Sequence, residues 1–502
     1  MDYEEYCEPA PTGSHGLEVL LGAAATAAGA YGALQPTERA AMLEALSDQL
    51  EASAEVLVVL ADRETHLGIE RLRAELVRTC FQLRLFANVV TDGEYLGAML
   101  DRAAPDWPSG SRPDLRRVLR PLGPVVVFAA SNFPFAFSVA GGDTASALAA
   151  GCPVVLKAHP GHPLLSQATA EVVVDSLERS GAPAGVFSVI YGEEAGRSAV
   201  VDPRIAAAAF TGSLRTGRIL FDLAASRPVP IPFYGELGSL NPVFVTAAAL
   251  ARRRAEIVDG FVNSFTLGSG QFCTKPGVLL VPAGAGVEDE LAVALAGRQA
   301  ALLLNDHTHR AYLEGLSRLT AHPSVRVLVS GTSHLTGEVG PSLLATSVEQ
   351  LLAHPGALLV ECFGPVAVVA SYRDERELLE AAGIFEGQLT ASLQAEEDDQ
   401  IAPELVERLA ERAGRVLWNE WPTGASVTWA MHHGGPYPAT TSSLHTSVGT
   451  TAIARFLRPV TYQSVPAALL PPALRDDNPL GLPRHVDGRA VVRPQTTVEQ
   501  VA

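Results

Sequence analysis

The run Val125-Val126-Val127-Phe128-Ala129-Ala130 decides how the chain is expected to fold. Six apolar residues without a polar break are typical of a strand that is buried on both faces of a parallel sheet. Gly141-Gly142-Asp143 is then predicted to open a helix, and Pro153-Val154-Val155-Leu156-Lys157 is predicted to be the next strand. The alternation continues with helices over 163–180, 194–200 and 213–225 and strands over 186–190 and 205–210. Such a βαβ series predicts a doubly wound parallel sheet with helices on both faces.

The residues before this series are predicted to be helical from 37 to 100. Met42, Leu43, Leu46 and Leu50 recur at helical spacing, and a second apolar series runs from Arg71 to Leu100. Thr37 is the predicted N-cap of the first of these helices.

A second alternating series, from 242 to about 430, predicts a second α/β domain. Its strands are expected at 242–246, 277–281, 366–370 and 415–418. A basic extended stretch near 116–120 and the stretch 455–462 belong to neither series and are predicted to pair with each other. The last forty residues, rich in Pro, Asp and Arg, are predicted to be an irregular tail. These boundaries divide the chain into four parts. The first α/β unit with the preceding helices takes residues 1–103 and 122–240, and the second takes 241–450. The two pairing stretches are 104–121 and 451–470, and the tail is 471–502.

Charge and cysteine usage exclude several classes of protein. The 502 residues carry a formal net charge of -18, which argues against nucleic acid and anionic membranes as partners. The cysteines, at positions 7, 80, 152, 273 and 362, form no CxxC pair and fit a reducing cytosol. The Ala-rich run at 22–30 follows an acidic start and is too short to cross a bilayer. We therefore expect a cytoplasmic protein without a membrane partner.

Three polar residues stand where chemistry is expected. In Ser264–Thr274, Gly268 and Gly270 bring the backbone close to Cys273, so that a small substrate could reach its thiol; the alternative is an ordinary buried cysteine. Glu236 is flanked by glycines at the end of an apolar stretch and is a candidate general base with a raised pKa, or else a solvated carboxylate. Asn132, after the first strand, is either an oxyanion donor or a turn-forming residue.

Other stretches are less specific by themselves. Gly212-Ser213-Leu214-Arg215-Thr216-Gly217 follows a strand and opens a helix, whose N–H groups could meet a phosphate. It is not a P-loop, because Arg218-Ile219 stands where Lys and Ser/Thr are required. Glu361-Cys362-Phe363-Gly364-Pro365 is another carboxylate at a strand edge. His432 and His433 are adjacent and point in different directions with no third ligand evident, so no metal site is predicted.

Together these stretches resemble the aldehyde dehydrogenase superfamily over essentially the whole chain. Five motifs occur in that family's order and at about its spacing: Asn132-Phe133-Pro134, Phe210-Thr211-Gly212-Ser213, Glu236-Leu237-Gly238, Gly270-Gln271-Phe272-Cys273 and Glu361-Cys362-Phe363-Gly364-Pro365. Longer runs resemble the branch that holds 2-oxoglutarate semialdehyde (2,5-dioxopentanoate) dehydrogenases and an NADP-dependent fatty aldehyde dehydrogenase. These runs are Ser131–Thr144, Lys157–Pro163, His433–Thr440, Arg455–Val460 and Asn478–Gly481.

The resemblance implies a fold and a division of labour. It implies a Rossmann-like NAD(P)-binding domain with the N-terminal helices (1–103 and 122–240), a catalytic domain (241–450) and a small β arm that builds homodimers or homotetramers. Cys273 would attack the aldehyde as a thiolate, Asn132 and the Cys273 N–H would bind the oxyanion, and Glu236 would activate water. The implied cofactor contacts are Lys157 and Glu361 to the riboses, Gly212 and Ser213 to the pyrophosphate, and Phe363 to the nicotinamide.

Two departures from the family pattern concern specificity. Many NAD-using relatives read Lys-Pro-x-Glu, with the Glu on the adenosine 2′-hydroxyl, whereas this chain reads Lys157-Ala158-His159-Pro160. NADP is therefore expected to be preferred and NAD accepted more weakly, with Arg197 as the candidate for the 2′-phosphate, unless it is only a solvated arginine at a helix start. The run Pro438–His445 lacks an arginine that is common in the semialdehyde branch, which leaves the exact substrate open.

The sequence therefore predicts NAD(P)-dependent oxidation of an aldehyde to a carboxylic acid, with 2,5-dioxopentanoate as the expected substrate and 2-oxoglutarate as the product. A fatty or other aliphatic aldehyde is the alternative within the same branch. A CoA-acylating enzyme is disfavoured, because such an enzyme needs no water-activating base at Glu236. A non-catalytic relative that keeps only the fold is the alternative from a different class.

Overall fold

The computed structural model describes residues 6–331 and 337–491. The described chain starts with helices that pack on the first sheet: α1 (Ser14–Gly32), α2 (Pro36–Ala52), α3 (Ala54–Thr65) and α4 (Ile69–Asp92). The Ala-rich run lies within α1, a helix that the sequence reading did not predict, and its buried face includes Leu17, Leu21 and Tyr31. This spacing is that of one helical face. No helix among the described residues is long and apolar enough to span a bilayer.

Two details of the predicted helical region were wrong. The N-cap of α2 is Gln35, whose backbone N–H is accepted by Glu38 in a capping box, and Pro36 takes the first helical position. Thr37 therefore lies inside the helix. The helix that was expected to reach Leu100 ends at Asp92, because Gly93 takes a left-handed conformation with φ of 77°. Residues 99–101 form a strand instead.

The first sheet is the predicted doubly wound one. Its elements in chain order are β3 (Val125–Phe128), α5 (Gly142–Ala150), β4 (Val154–Lys157), α6 (Pro163–Arg179), β5 (Phe187–Ile190), α7 (Glu193–Val201), β6 (Ala207–Thr211), α8 (Leu214–Ala225) and β7 (Phe233–Glu236). All the pairings are parallel, in the order β5-β4-β3-β6-β7. The direction of winding reverses between β3 and β6, and ligands of such sheets bind outside the carboxyl ends of the strands at that point.

The second sheet confirms a second α/β unit. In chain order its elements are β8 (Val243–Val245), α9 (Ala247–Thr266), β9 (Val278–Pro282), α10 (Val287–Leu295), α11 (Asp306–Thr320), β10 (Arg326–Val329), β11 (Ser342–Ser347), α12 (Val348–Ala353), α13 (Pro355–Leu358), β12 (Val366–Tyr372), α14 (Glu375–Ile384), β13 (Gln388–Gln394), α15 (Ala402–Ala410) and β14 (Ala413–Trp418). The order is β10-β11-β12-β9-β8-β13-β14, and only the β10–β11 pairing is antiparallel among these described strands.

The sequence reading found β8, β9, β12 and β14 and missed the other three strands. β13 was missed because polar and apolar residues are mixed along it, although all seven of its residues are buried. Its polar side chains have partners inside the protein: Oε1 of Gln388 accepts hydrogen bonds from the backbone N–H groups of Leu240 and Asn241. Burial of polar groups is tolerated where such bonds are made.

A third sheet contains the two stretches that were expected to pair and to form an arm. It consists of β1 (Met99–Asp101), β2 (Leu115–Pro121), β15 (Leu457–Gln463), β16 (Arg484–Val486) and β17 (Arg489–Val491). The predicted pairing is confirmed, because β15 runs antiparallel to β2 with Val460 opposite Val118. The prediction of an irregular tail was wrong for 484–491, since β16 pairs with β1 and β17 pairs with β16. The domain boundaries drawn from the sequence stay predictions.

Candidate active site

Cys273 is presented by a tight turn between α9 and β9. Gly268, Ser269 and Gly270 all have positive φ, of 54°, 55° and 65°. A Cβ on Gly270 would collide with the carbonyl oxygen of Gly364, so only glycine fits at this approach of two backbones. The buried Gln271 anchors the turn, because its Oε1 accepts a hydrogen bond of 2.9 Å from the N–H of Leu304. Cys273 remains partly exposed. The glycines thus have the structural role that the sequence suggested.

The thiol of Cys273 lies in a cluster with a histidine and a glutamate. Sγ of Cys273 is 3.4 Å from Nε2 of His433, and that nitrogen is 3.0 Å from Oε1 of Glu236. The hydroxyl of Ser447 donates a hydrogen bond to the other oxygen of Glu236. Glu236 and His433 are both almost completely buried. The structure therefore joins the predicted nucleophile and the predicted base through a histidine that sequence reasoning dismissed.

Backbone contacts hold His433 in this position. It lies in the irregular segment after β14, which runs alongside β7: the N–H of Leu237 donates to the carbonyl of Ala439, and that of Thr441 to Gly235. The N–H of Ser447 in turn donates to the carbonyl of His433 at 2.9 Å. His433 and Ser447 are thereby placed beside the end of β7. The only available signal in the sequence was that His433 begins one of the runs that resemble the semialdehyde branch.

The expected raised pKa of Glu236 was wrong. Burial alone would raise the pKa of this carboxyl, but the neighbouring His433 cation and the Ser447 hydroxyl hold it below its usual value. Burial would lower the pKa of His433, yet Glu236 and Cys273 raise it to about 10. Burial, together with Glu236, keeps the pKa of the Cys273 thiol above its usual value despite the histidine. The resting site thus holds a thiol, an imidazolium and a carboxylate.

Cys273, His433 and Glu236 also form a group that could hold a metal ion, which the sequence did not predict. Their ligand atoms all lie within 4.8 Å of one another, so the statement that His433 lacks further ligands was wrong. A protonated imidazole offers no lone pair to a metal, however, and Nε2 of His433 already contacts both other groups. The arrangement favours proton transfer over metal binding, and the expectation of no metal stays a prediction.

Asn132 is brought next to the turn of Cys273. It follows β3, and its Nδ2 donates a hydrogen bond of 3.2 Å to the carbonyl of Gln271. The carbonyl of Asn132 accepts a bond of 2.8 Å from Nη2 of Arg71. The ring of Phe133 packs edge-on against Phe272, with centroids 5.2 Å apart. Because an amide nitrogen carries two hydrogens, one N–H of Asn132 remains for an oxyanion near Cys273.

The predicted cofactor residues of the first sheet lie at its carboxyl edge. Lys157 ends β4, and Gly212 and Ser213 follow β6, on either side of β3. Ser213 is the N-cap of α8, with its Oγ accepting from the N–H of Thr216. Oγ1 of Thr211 is buried and has no hydrogen-bond partner among the described residues. An open helix start beside an unsatisfied hydroxyl fits the phosphates of a dinucleotide.

Arg197 and Glu361 complete the predicted cofactor set. Arg197 lies on α7 and pairs with Glu193 one turn earlier, with Nη2 2.9 Å from Oε1. Glu361 lies so close to Gly238 that a Cβ there would collide with its carboxylate, and burial raises the pKa of Glu361 to about 7 against the opposing effect of Lys275. Phe363, two residues further on, is partly exposed. All these residues are solvent-accessible in part, as a ligand site requires.

The comparison with known proteins agrees with this geometry. The profile of the aldehyde dehydrogenase family matches residues 2–461. The chain belongs to the aldehyde dehydrogenase family and is an oxidoreductase that acts on aldehydes.

Two named relatives and one solved structure are similar to this chain over most of its length. The chain is 46% identical over 468 residues to alpha-ketoglutaric semialdehyde dehydrogenase 2 of Azospirillum brasilense, covering 92% of this chain and 89% of that protein. It is 44% identical over 461 residues to alpha-ketoglutaric semialdehyde dehydrogenase of Acinetobacter baylyi, covering 90% and 87%. Among solved structures, a variant of betaine aldehyde dehydrogenase from Staphylococcus aureus in complex with NAD+ superimposes with a TM-score of 0.77 at 19% identity, covering 91% of this chain and 90% of that one. The last of these supports the fold.

Proposed function

We propose that this protein oxidises 2,5-dioxopentanoate, the semialdehyde of 2-oxoglutarate, to 2-oxoglutarate, with NADP preferred and NAD accepted more weakly. The substrate is supported by two relatives named for this activity at 46% and 44% identity. The observation that carries the chemistry is the contact of His433 with both Cys273 and Glu236, beside the amide of Asn132. A fatty or other aliphatic aldehyde remains the second candidate, on the resemblance of the whole branch.

In the first step, the thiol of Cys273 loses its proton and its sulfur forms a bond to the aldehyde carbon. The proton goes to the Glu236 carboxylate. Nε2 of His433 lies between the sulfur and this carboxylate and relays the proton from one to the other. The carbonyl oxygen becomes an oxyanion and accepts hydrogen bonds from the Asn132 amide and the Cys273 N–H. Loss of one such donor typically lowers kcat by about 10²–10³-fold.

A bound nicotinamide cofactor would accept the hydride that leaves the thiohemiacetal carbon, and that carbon would then form a thioester with Cys273. Glu236, after its proton has been released to solvent, takes a proton from a water molecule that attacks the thioester carbon. The C–S bond then breaks and the carboxylic acid leaves. The His433 imidazolium stabilises the departing Cys273 thiolate, because it lies 3.4 Å from the sulfur.

Residues at the carboxyl edge of the first sheet would hold the cofactor. Ser213 and Gly212 are assigned to the pyrophosphate, Lys157 and Glu361 to the riboses, and Phe363 to the nicotinamide. Pro160 occupies the position where many NAD-using relatives have a glutamate, whose carboxylate would repel a 2′-phosphate. Arg197 is assigned to this phosphate, for which it would exchange its present partner Glu193.

Assembly and location are part of the proposal. The arm sheet leaves β15 at one edge, and a partly exposed strand edge readily pairs with a second copy, so we propose a homodimer or homotetramer. A cytoplasmic location is supported by five cysteines that are all free.

The test is the rate of NAD(P)H formation, followed by absorbance, with 2,5-dioxopentanoate, succinate semialdehyde and long-chain aldehydes side by side. Each is assayed with NADP and with NAD, and with and without CoA. The expected result is the highest kcat/KM for 2,5-dioxopentanoate with NADP and no dependence on CoA. A higher kcat/KM for a long-chain aldehyde would overturn the proposed substrate, and a requirement for CoA would overturn hydrolysis by water.

A further inference from the structure

Two arginines of α4 lie close to the segments that carry Cys273 and Asn132. Arg71 and Arg78 are seven residues apart, which places them on the same face of the helix two turns from each other. The guanidinium of Arg71 is 4.9 Å from the ring centre of Phe272 and 5.3 Å from that of Phe133. Phe272 precedes Cys273 and Phe133 follows Asn132, so this guanidinium packs against the neighbours of both predicted catalytic residues.

Arg78 continues the same surface. Its guanidinium is 5.7 Å from the ring centre of Phe137, and that ring also contacts His433 at 6.3 Å. Its Nη2 donates a hydrogen bond to the carbonyl of Ala425, and the N–H of the preceding Gly424 donates to Oγ1 of Thr274, the residue after Cys273. A third arginine, Arg415 of β14, donates from its Nη2 to the carbonyl of the same Gly424. Three guanidinium groups from two separate parts of the chain are thus linked to the residues on either side of Cys273.

Each of these arginines has a buried N–H group without an acceptor. Nη2 of Arg71 donates to the carbonyl of Asn132, and Nη2 of Arg415 donates to the carbonyls of Pro422 and Gly424. Nη2 of Arg78 makes only a long bond of 3.4 Å to Ala425. Among the described residues, Nη1 of Arg71, Nη1 of Arg78 and Nε of Arg415 are buried and unpaired. Buried donors on a charged group are costly to leave without an acceptor.

The carboxylates nearby do not neutralise this charge. Glu75 lies between the two arginines on α4, but its Oε1 is engaged by the backbone N–H groups of Phe135 and Ala136, and burial raises its pKa. Glu420 acts on Arg415 from an exposed position. Arginine stays protonated in proteins. Glu236 is a third carboxylate near Arg78, but its partner His433 is an imidazolium. Even with all three carboxylates ionised, four cations face three anions, so the surface attracts an anion.

We propose that Arg71, Arg78 and Arg415 bind the carboxylate at the far end of the substrate and thereby select a semialdehyde over a neutral aldehyde. This rests on the proposed function, whose substrate carries its carboxylate four C–C bonds from the aldehyde carbon, or about 5 Å in an extended chain. With the aldehyde carbon at Cys273, that carboxylate reaches the surface formed by these side chains. A neutral aldehyde leaves the buried N–H groups unpaired, which is the strongest form of discrimination open to a site.

The test variant is Arg78→Gln, because Arg71 also holds the carbonyl of Asn132. The measured quantity is the ratio of kcat/KM for 2,5-dioxopentanoate to kcat/KM for pentanal, a neutral aldehyde of the same length. This ratio is expected to fall about 10- to 100-fold, the usual effect of losing a charged hydrogen bond. Arg78→Lys should recover part of it. The control is Arg73→Gln, an exposed arginine of the same helix that pairs with Glu55, for which the ratio should not change. An unchanged ratio in Arg78→Gln, or equal losses for both aldehydes, overturns the proposal.

A binding measurement separates this inference from the proposed function. Glutarate, which has the required carboxylate and no aldehyde, should compete with the aldehyde substrate and bind the parent protein by calorimetry, and Arg78→Gln should bind it at least about tenfold more weakly. Failure of the parent to bind glutarate overturns the anion site. A parent that binds glutarate through Arg78 but does not oxidise 2,5-dioxopentanoate would overturn the substrate alone.

Discussion

Nε2 of His433 lies 3.0 Å from Oε1 of Glu236, although the two residues are 197 positions apart in the chain. The same nitrogen lies 3.4 Å from Sγ of Cys273. A single imidazolium therefore couples the protonation of the nucleophile to that of the base, and the burial of His433 and Glu236 strengthens this coupling. The protonation states of the three groups are therefore linked to one another.

Loss of His433 is expected to make Cys273 less reactive. The pKa of His433 is raised to about 10, so the imidazolium is present below that pH and is lost as pH rises through it. Because this cation offsets the burial of Cys273, His433→Gln should raise the pKa of the thiol and move the pH profile of its alkylation by iodoacetamide to higher pH. If the profile moves by about one pH unit, the alkylation rate at pH 8 should fall about tenfold, because only the thiolate reacts. His432→Gln is the matched control. An unchanged profile would show that the histidine does not control the thiol.

Replacement of Cys273 by Ala is expected to reduce aldehyde oxidation by at least about a thousandfold, because no other group forms the bond to the substrate. NADPH binding, followed by fluorescence, should be retained, since the thiol is needed only for the chemistry. The control is Cys7→Ala, which replaces an exposed cysteine outside the candidate site and should oxidise the aldehyde like the parent. Near-normal turnover by Cys273→Ala would contradict the assigned mechanism.

Glu236→Gln is expected to separate the two steps of the reaction. Stopped-flow absorbance should show at most a single-turnover burst of NADPH, followed by a steady-state rate about 10²–10⁴-fold below that of the parent, because the thioester is no longer hydrolysed by an activated water. Trapping the acylated Cys273 by mass spectrometry provides a second readout. Full steady-state turnover would exclude Glu236 as the base.

The cofactor preference depends on the contact between Arg197 and Glu193. Arg197→Ala should raise the KM for NADP about tenfold and leave that for NAD nearly unchanged, because only NADP carries the 2′-phosphate. Glu193→Gln should lower the KM for NADP, since it releases Arg197 from its present partner. Arg179→Ala, which breaks a similar exposed pair with Asp175, is the control. Equal losses for both cofactors would refute the role of Arg197.

The arm sheet is expected to join copies of the chain. Its edge strand β15 carries partly exposed residues over Leu457–Gln463 and pairs on one side with β2. Multi-angle light scattering at micromolar concentration should give the mass of a dimer or tetramer of the 52.8 kDa chain. Val460→Pro, which introduces a residue that cannot donate a strand hydrogen bond, should shift the distribution to smaller species. A monomeric parent protein would rule out this assembly.

Much of the fold could be predicted from the sequence, because a buried strand or helix shows a characteristic local pattern of apolar residues. The apolar runs of β3, β4 and β6 predicted a parallel sheet, and the position of Asn132, Lys157 and Ser213 after strands placed them at one edge. The glycines before Cys273 indicated a close approach of backbone, which the collision with Gly364 now explains. These features depend on neighbours within a few residues, so local pattern is sufficient to find them.

Other features were decided only by the tertiary structure. β13 is polar in part and became a strand through contacts with residues about 150 positions away, and β16 found its partner in β1 nearly 400 positions earlier. The sequence singled out Cys273, Glu236 and Asn132 as candidates for the chemistry, but not His433. Whether Glu236 has a raised or a lowered pKa depended on a histidine that the fold brings to 3.0 Å, because the energy of a buried charge is set by the groups in contact with it and not by its neighbours along the chain.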